Sequence, residues 1–150
     1  MSLDDYEFGI EKFTDILEEL YPLWREHHNE LVGEQVGLYP SIEGYIELEK
    51  KSALAIFTLR YEGKLIGYSF FLVYPHLHRQ QITVAVNDLF FITHSHRKGW
   101  LASKFIKYFE PILFANGISQ IIMRTKSRSS FAPLLKWCGY AEEEISLESR

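Results

Sequence analysis

The sequence has little cysteine, no excess of positive charge and no long apolar run, and each shortage excludes a class of protein. Its 150 residues contain one cysteine, Cys138, which excludes an internal disulfide framework and a cysteine-based zinc site. The formal net charge is −4, whereas nucleic-acid-binding domains are usually basic, so we expect no nucleic-acid partner. No apolar run approaches the ~20 residues that span a bilayer, so we expect no membrane partner either.

The sequence is instead rich in apolar and aromatic side chains. Residues of these kinds make up 47% and 15% of the chain, which is enough for a sizeable core. A chain of this length is typical of one domain, and we expect residues 1–150 to form a single one. The first residues, MSLDDYEF, lack the cationic region and the apolar run of a secretory signal. We therefore expect a cytoplasmic protein.

Apolar periodicity and turn signals predict helices first, then a strand meander, then alternating helices and strands. The predicted helices are Glu7–Asn29, Ile42–Lys51, Lys98–Ala115 and Ser127–Trp137. The predicted strands are Ala53–Tyr61, Lys64–Val73, Gln81–Ile92 and Ile118–Thr125, with a last strand or hairpin ending at Ser149. Glu62-Gly63 predicts a hairpin turn, Asn87-Asp88 a bulge, and Asn116-Gly117 a helix end, while Leu31–Ser41 and Pro75–Gln80 are predicted loops.

A strand, a cationic turn and a helix follow one another without a gap. The apolar strand Leu89–Ile92 runs into a short polar turn, Thr93–His96, and Arg97, Lys98 and Gly99 lead directly into the helix. The first backbone N–H groups of a helix have no partner within the helix, and the helix dipole favours an anion there. Glycine lets a ligand approach the backbone closely, and the two cations add positive charge. This arrangement predicts a phosphate-binding cradle.

The same segment resembles the pyrophosphate-binding motif of the GCN5-related N-acetyltransferase (GNAT) superfamily. That motif is a hydrophobic strand, Pro-x-x-Arg, and Arg/Gln-x-x-Gly-x-Gly/Ala leading into a helix. It is matched at Arg97, Lys98, Gly99 and Ala102. The sequence departs from it at Trp100, where the central glycine usually stands, and at His94, where proline is common. Trp100 either packs or covers the cofactor.

Several other segments together are similar to small phage- and prophage-associated members of the superfamily. They are REHHNEL at 25–31, PSIEGYIELEK at 40–50, YEGKLIGYSFFLVYPHLH at 61–78 and NDLFFITHSHRKG at 87–99. Gly139-Tyr140 stands where relatives have Gly-Phe before their final strand. The resemblance covers about residues 8–140.

The resemblance implies a fold, a cofactor and a set of contacts. The fold is α+β, with a mixed, mostly antiparallel sheet of 6–7 strands that is flanked by helices and splayed at the acetyl-CoA site. Main-chain groups at Phe91 and Ile92 would bond the pantetheine arm, and amides from Arg97 to Ala102 would hold the pyrophosphate. The full set expected to contact acetyl-CoA is Phe91, Ile92, Arg97, Lys98, Gly99, Trp100, Leu101, Ala102 and Ser103.

An acetyltransferase needs a group that removes a proton from the amine. Relatives commonly use a carboxylate on the strand before the phosphate turn or on its neighbour, and Asp88 is the carboxylate there. Asp88 could equally be a bulge residue bonded to the local backbone. His27 and His78 are the alternative bases, and solvent is a further one. His76 and His78 have metal-ligand spacing, but no carboxylate or cysteine is adjacent, so we expect no metal.

Relatives often place an acidic tyrosine four residues before the Gly-Phe glycine, and this chain has Leu135 there. Tyr140, Ser129, Ser130 or water could protonate the leaving thiolate, or it could leave unassisted. Cys138 lies in an apolar segment and is interpreted as a core thiol rather than a nucleophile.

Three functions are compatible with these features. The first is acetyl-CoA-dependent transfer to a primary amine of a small molecule or protein. The second is a GNAT-fold module that binds CoA or a partner without turnover, and the third is an interaction protein using exposed Tyr39, Tyr45 and Tyr74. In the superfamily, the loops at Leu31–Ser41 and His76–Gln80 would border the acceptor site. Acidic residues near them would suit a cationic amine; these are Glu30, Glu34 and Glu43. Homodimers are common in the superfamily.

Overall fold

The computed structural model describes residues 5–32, 40–125 and 131–142. Within them, nine helices and strands follow in chain order. They are β1 (Tyr6–Ile10), α1 (Phe13–Val32), α2 (Ile42–Lys50), β2 (Leu54–Tyr61), β3 (Lys64–His76), β4 (Arg79–Ile92), α3 (Gly99–Ala115), β5 (Gln120–Ile122) and α4 (Phe131–Trp137). A single turn of 3₁₀ helix, His94–His96, lies between β4 and α3.

The strands of the described residues form one mixed sheet in the order β1-β2-β3-β4-β5. The first four strands are antiparallel neighbours, and β5 runs parallel to β4. A parallel partner requires a crossover, and α3 supplies it. The α+β architecture with a mostly antiparallel mixed sheet is confirmed, with five strands here. The last strand predicted up to Ser149 lies outside the described residues.

Each face of the sheet carries its own apolar cluster. On one face, α1 and α2 pack on residues such as Tyr68, Phe70 and Phe91. On the other face, α3 and α4 pack on residues such as Phe71 and Ile92. Neighbouring residues of β4 alternate between the two clusters, as the two-residue period of a strand requires. The end of β4 that leads into the turn before α3 is therefore covered by different helices on its two sides.

The predicted helix Glu7–Asn29 is wrong at its beginning. Tyr6–Ile10 is an edge strand that pairs with β2, in register from Tyr6 opposite Tyr61 to Ile10 opposite Phe57. The helix starts only at Phe13 and continues to Val32. Pairing with a distant strand thus overrides the helical pattern of the first residues.

The predicted loop Pro75–Gln80 is also wrong. The strands β3 and β4 continue to His76 and from Arg79, so only Leu77 and His78 lie between them. The predicted strand Ile118–Thr125 is shorter, at Gln120–Ile122. The Glu62-Gly63 hairpin is confirmed by positive φ angles of 49° and 83° at these two residues.

Other predictions fall wholly or partly outside the described residues. These are most of the Leu31–Ser41 loop, with Glu34 and Tyr39, the start of the predicted helix at Ser127, and the candidate acids Ser129 and Ser130. No helix of the described residues is long and apolar enough to cross a membrane.

Candidate cofactor and active site

The strands β4 and β5 pair over only a short distance. Their contact is limited to Val84–Val86 on β4 and Gln120–Ile122 on β5. Beyond Val86, the described part of the chain offers β4 only β3 as a partner. The edge of β4 that includes Phe91 and Ile92 is therefore open on the β5 side, and this opening is the splay expected from the resemblance.

The helix α3 begins at the end of this open edge. Its N-cap residue, Lys98, has an extended backbone (φ −132°, ψ 135°), and no side chain caps the helix. The N–H groups of Leu101 and Ala102 bond back to the Lys98 carbonyl at 3.0 and 3.2 Å, so the earlier amides have no partner within the helix. A Cβ atom at Gly99 would meet no atom within 4 Å, so the space beside the first residue of the helix is open. The arrangement suits an anion.

An open groove of about 810 Å³ borders the same helix. It is lined by Phe8, Gly99, Trp100, Ser103, Lys104, Lys107, Tyr108, Leu134 and Trp137. Trp100 and Trp137 are 41% and 76% exposed, and Lys104 and Lys107 of α3 line the groove together with them. Exposed aromatic rings beside cations can hold a flat, phosphate-bearing ligand.

Sequence reasoning missed the lysines and Trp137 as members of this groove. One signal was available, because Lys104 follows Trp100 by four residues and Lys107 follows Ser103 by four, which places each pair on one helix face. Lys107 also lies 3.9 Å from the Glu110 carboxylate and donates to the Cys138 carbonyl at 3.4 Å.

The side chains that follow Gly99 differ in their environment. Leu101 and Ala102 are buried and do not line the groove, whereas Ser103, which is also mostly buried, borders it. The Ser103 hydroxyl is 3.8 Å from the Cys138 sulfur, which is itself buried, as a core thiol should be. The ring of Trp100 meets Tyr6 edge-on at 6.0 Å and leaves its other side on the groove.

Arg97 turns away from the helix N-terminus. Its Nη2 donates to both carboxylate oxygens of Glu30 at 2.8 and 2.6 Å, and its Nε donates to the Ile92 carbonyl at 2.8 Å. The guanidinium lies 5.2 Å from the centre of the Phe91 ring. Its side chain therefore joins α1 to the end of β4. Lys98 is exposed and has no ion pair within the described residues.

The bulge predicted at Asn87-Asp88 is confirmed. The register changes from Phe70 opposite Leu89 to Phe71 opposite Asn87, so Asp88 has no partner on β3. Buried Asn87 donates through Nδ2 to the Ser69 hydroxyl and to the carbonyls of Phe70 and Leu89. The side chain that hydrogen-bonds to the backbone of the bulge is therefore that of Asn87. The Asp88 side chain is exposed.

The Asp88 carboxylate accepts a hydrogen bond of 2.5 Å from the hydroxyl of Tyr45 on α2. The Tyr45 ring stacks on Phe13 at 5.2 Å and lies 5.6 Å from Trp24, so its position is fixed by packing. Burial, and then the hydrogen bond to Asp88, raise the pKa of Tyr45 above its usual value. Tyr45 therefore remains a donor at neutral pH and orients the carboxylate.

His27 lies near the same end of α1 as Glu30. Its ring stacks on Phe91 at 4.7 Å and 18°, and its Nδ1 is 2.8 Å from the Tyr68 hydroxyl. Burial lowers the pKa of His27 to about 4, although the Glu30 carboxylate acts in the opposite direction. The imidazole is neutral at pH 7 and could accept a proton, but it is a weaker base than an exposed histidine.

His78 is placed far from these groups. It lies in the turn that begins β4, ten residues before Asp88, which corresponds to roughly 30 Å along a strand. Its N–H donates to His76 Nδ1 at 3.2 Å. The structure does not bring His78 together with Asp88 or His27. Among the residues described, no three metal-ligating side chains form a cluster that could hold an ion.

Of the groups considered for protonating the thiolate, Tyr140 lies on the α3 and α4 side of the sheet. Leu135, at the position of the superfamily's tyrosine, is 5% exposed in the core. Tyr140 follows α4 after Gly139, whose φ is +101°, and burial, with the Glu110 carboxylate nearby, raises its pKa above its usual value. Asp88 faces the α2 side instead.

No protein-family model matches the chain, and no curated protein matches it. Solved structures do. An aminoglycoside acetyltransferase from an uncultured soil metagenomic sample, in complex with trehalose, has a TM-score of 0.79 at 11% identity, covering 99% of this chain and 97% of that one. The ribosomal-protein-alanine N-acetyltransferase of Brucella melitensis biovar Abortus 2308 has a TM-score of 0.70 at 16% identity, covering 97% of each chain.

A plant enzyme also has a similar structure over nearly the whole chain. The glucosamine-6-phosphate N-acetyltransferase of Arabidopsis thaliana has a TM-score of 0.68 at 11% identity and covers 97% of both chains. These proteins act on different acceptors, so the likeness concerns architecture and not substrate. The chain therefore has the GNAT fold of these acetyltransferases.

Proposed function

We propose that the protein is an N-acetyltransferase that moves the acetyl group of acetyl-CoA to a primary amine. The observation that carries this proposal is the uncapped N-terminus of α3 at the open edge of β4, with unfilled space before Gly99. A phosphate cradle beside a free strand edge can hold a pyrophosphate and an extended amide-containing arm together. The groove with Lys104 and Trp137 would then receive the nucleotide end of the cofactor.

The acceptor side of the reaction would lie across the sheet, toward α1 and α2. The exposed Asp88 carboxylate, oriented by Tyr45, is the group proposed to take a proton from the amine. The amine nitrogen then forms a bond to the thioester carbonyl carbon, and the carbon–sulfur bond breaks. The leaving thiolate takes its proton from solvent, because buried Leu135 stands where relatives use a tyrosine.

A second candidate is a GNAT-fold module that binds CoA or a protein partner with little or no turnover. Two observations favour it: Leu135 offers no proton, and the side chain of Arg97 is bonded to Glu30 and Ile92. A thermal shift with acetyl-CoA, followed by thiol release with a panel of primary amines, separates the candidates. A thermal shift together with thiol release supports the enzyme, and a thermal shift without thiol release supports the binding module. If acetyl-CoA causes no thermal shift, neither the enzyme nor a CoA-binding module is supported.

The role of Asp88 has its own test. Asp88→Asn keeps the size of the side chain and removes its basicity, so turnover should fall by roughly 10²-fold with little change in acetyl-CoA affinity. The acidic limb of the pH–rate profile should disappear as well. Glu7→Gln makes the same change in charge at an exposed position of β1 and should leave turnover unchanged. Full turnover in Asp88→Asn would contradict the assignment, and loss of that limb in His27→Ala would move the role to His27.

A further inference from the structure

The turn between β4 and α3 is bonded to α1 by two glutamates one helical turn apart. Glu26 and Glu30 lie on the same face of α1 and reach opposite ends of the segment Thr93–Arg97. Between them, His27 stacks on Phe91 at the end of β4. The helix on the acceptor side therefore contacts the segment that sets where α3 begins.

Glu26 holds the first part of the turn. Its carboxylate accepts hydrogen bonds from the Thr93 hydroxyl, at 2.7 and 2.9 Å to its two oxygens, and from the His94 N–H at 3.0 Å. The Thr93 N–H is bonded in turn to the Ile66 carbonyl at 2.8 Å. Both bonds to Glu26 are charge-assisted and belong to the stronger class of hydrogen bonds.

Glu30 holds the last part of the turn through Arg97. The guanidinium is bonded to the Glu30 carboxylate and, through Nε, to the Ile92 carbonyl, so it bridges α1 and both ends of the turn. The two charged side chains are 40% and 37% exposed, so this link is weaker than the one at Glu26. All three of these bonds go to α1 or to the carbonyl at the end of β4, and none goes to the helix N-terminus.

We propose that Glu26, Glu30 and Arg97 are positioning residues for the cofactor cradle, with Arg97 acting as a strut from α1 and not as a phosphate ligand. The inference rests on the proposed function. A positioning role for the glutamates predicts the opposite of a simple charge effect. Removing a negative charge close to a bound polyanion should strengthen binding by Coulomb's law. If the two glutamates hold the turn in place, removing either charge should weaken binding instead.

Titration calorimetry with acetyl-CoA on Glu26→Gln, Glu30→Gln and Arg97→Ala tests this inference. We expect the dissociation constant to rise about fivefold or more for Glu26→Gln and roughly two- to fivefold for each of the other two. The Glu30→Gln/Arg97→Ala double variant should bind acetyl-CoA no more weakly than either single variant, because both substitutions break the same bond between Arg97 and Glu30. Glu18→Gln, an exposed change on the same helix, is the control and should leave binding unchanged.

Kinetics add a second readout, since KM for acetyl-CoA should rise while kcat at saturation stays constant. Two outcomes overturn the inference while the proposed function stands. One is unchanged or tighter binding in Glu26→Gln and Glu30→Gln. The other is weaker binding in Arg97→Ala together with tighter binding in Glu30→Gln, which would make Arg97 a phosphate ligand. A wild-type protein that does not bind acetyl-CoA overturns the proposed function, and this inference with it.

Discussion

At the scale of single residues, His27 shows how burial changes what a side chain can do. Its pKa is lowered to about 4 by burial, whereas the unfolded chain takes up the same proton near pH 6.5. Stability from the neutral imidazole is therefore complete above about pH 6.5 and is lost as the pH falls toward 4. Between pH 7 and pH 5, this loss amounts to roughly 2 kcal/mol of unfolding free energy.

Chemical denaturation at these two pH values checks the prediction. The unfolding free energy of wild-type protein should fall more between pH 7 and pH 5 than that of His27→Gln, and the difference should be roughly 2 kcal/mol. His96, whose pKa burial also lowers, is present in both proteins and cancels in the comparison. Equal slopes would show that His27 is protonated normally in the folded protein, which would restore it as an ordinary base.

Single residues also mark the limit of sequence reasoning. The glycine that begins α3 and the bulge at Asp88 could be predicted because both depend on neighbours along the chain. The Arg97–Glu30 and Tyr45–Asp88 bonds could not, because their partners are 67 and 43 residues apart. No local pattern distinguishes a cation that faces a ligand from one that is bonded to a distant helix. The roles of the expected cofactor contacts stay predictions.

At the scale of helices and strands, the approach of β3 to β4 depends on Gly67. A Cβ atom there would lie 2.8 Å from the Phe91 carbonyl oxygen, which is too close for the backbone to accept unchanged. Gly67→Ala should therefore lower the unfolding free energy by about 1–3 kcal/mol. It should also weaken acetyl-CoA binding, because it displaces the strand edge proposed to hold the cofactor.

Gly99→Ala is the matched control for stability, since its new methyl group would meet nothing within 4 Å. Its unfolding free energy should change by less than about 0.5 kcal/mol. Denaturant titration of both variants gives the comparison. Equal stability of Gly67→Ala and wild type would show that the strands can separate at no cost.

The helices and strands differ in how far the sequence predicts them. Helix α3 and the hairpin from β2 to β3 match their predictions closely, because caps, periodicity and turn residues are local signals. Strand β1 was predicted as helix, since Tyr6–Ile10 is a strand only by virtue of its pairing with β2. The β3–β4 hairpin was underestimated at Pro75, because a proline at a strand end is a turn signal that tertiary pairing can override.

At the scale of the whole molecule, the sheet separates two chemical environments. One face, with α3 and α4, carries the groove with its cations and aromatic rings. The other face, with α1 and α2, carries Asp88 and Tyr45 together with the neutral His27. The two environments meet at the part of β4 that extends beyond its pairing with β5.

The resemblance to GNAT proteins could be read from the order of segments over most of the chain, even though Trp100 replaces a motif glycine. The fold it implied is confirmed by structures with TM-scores of 0.68 to 0.79. The further resemblance to phage-associated members stays a prediction. The acceptor could not be predicted, because no local residue pattern in the sequence specifies which amine would bind.

The measurement that tests the central claim most directly is titration calorimetry of acetyl-CoA into wild-type protein and Gly99→Glu. The new side chain has open space, so the variant should fold, but it places a carboxylate where the phosphates would sit. Wild-type protein should bind acetyl-CoA, and Gly99→Glu should show no binding while its thermal midpoint is preserved. Equal affinity of the two proteins would contradict the assignment of the α3 N-terminus as the cofactor cradle.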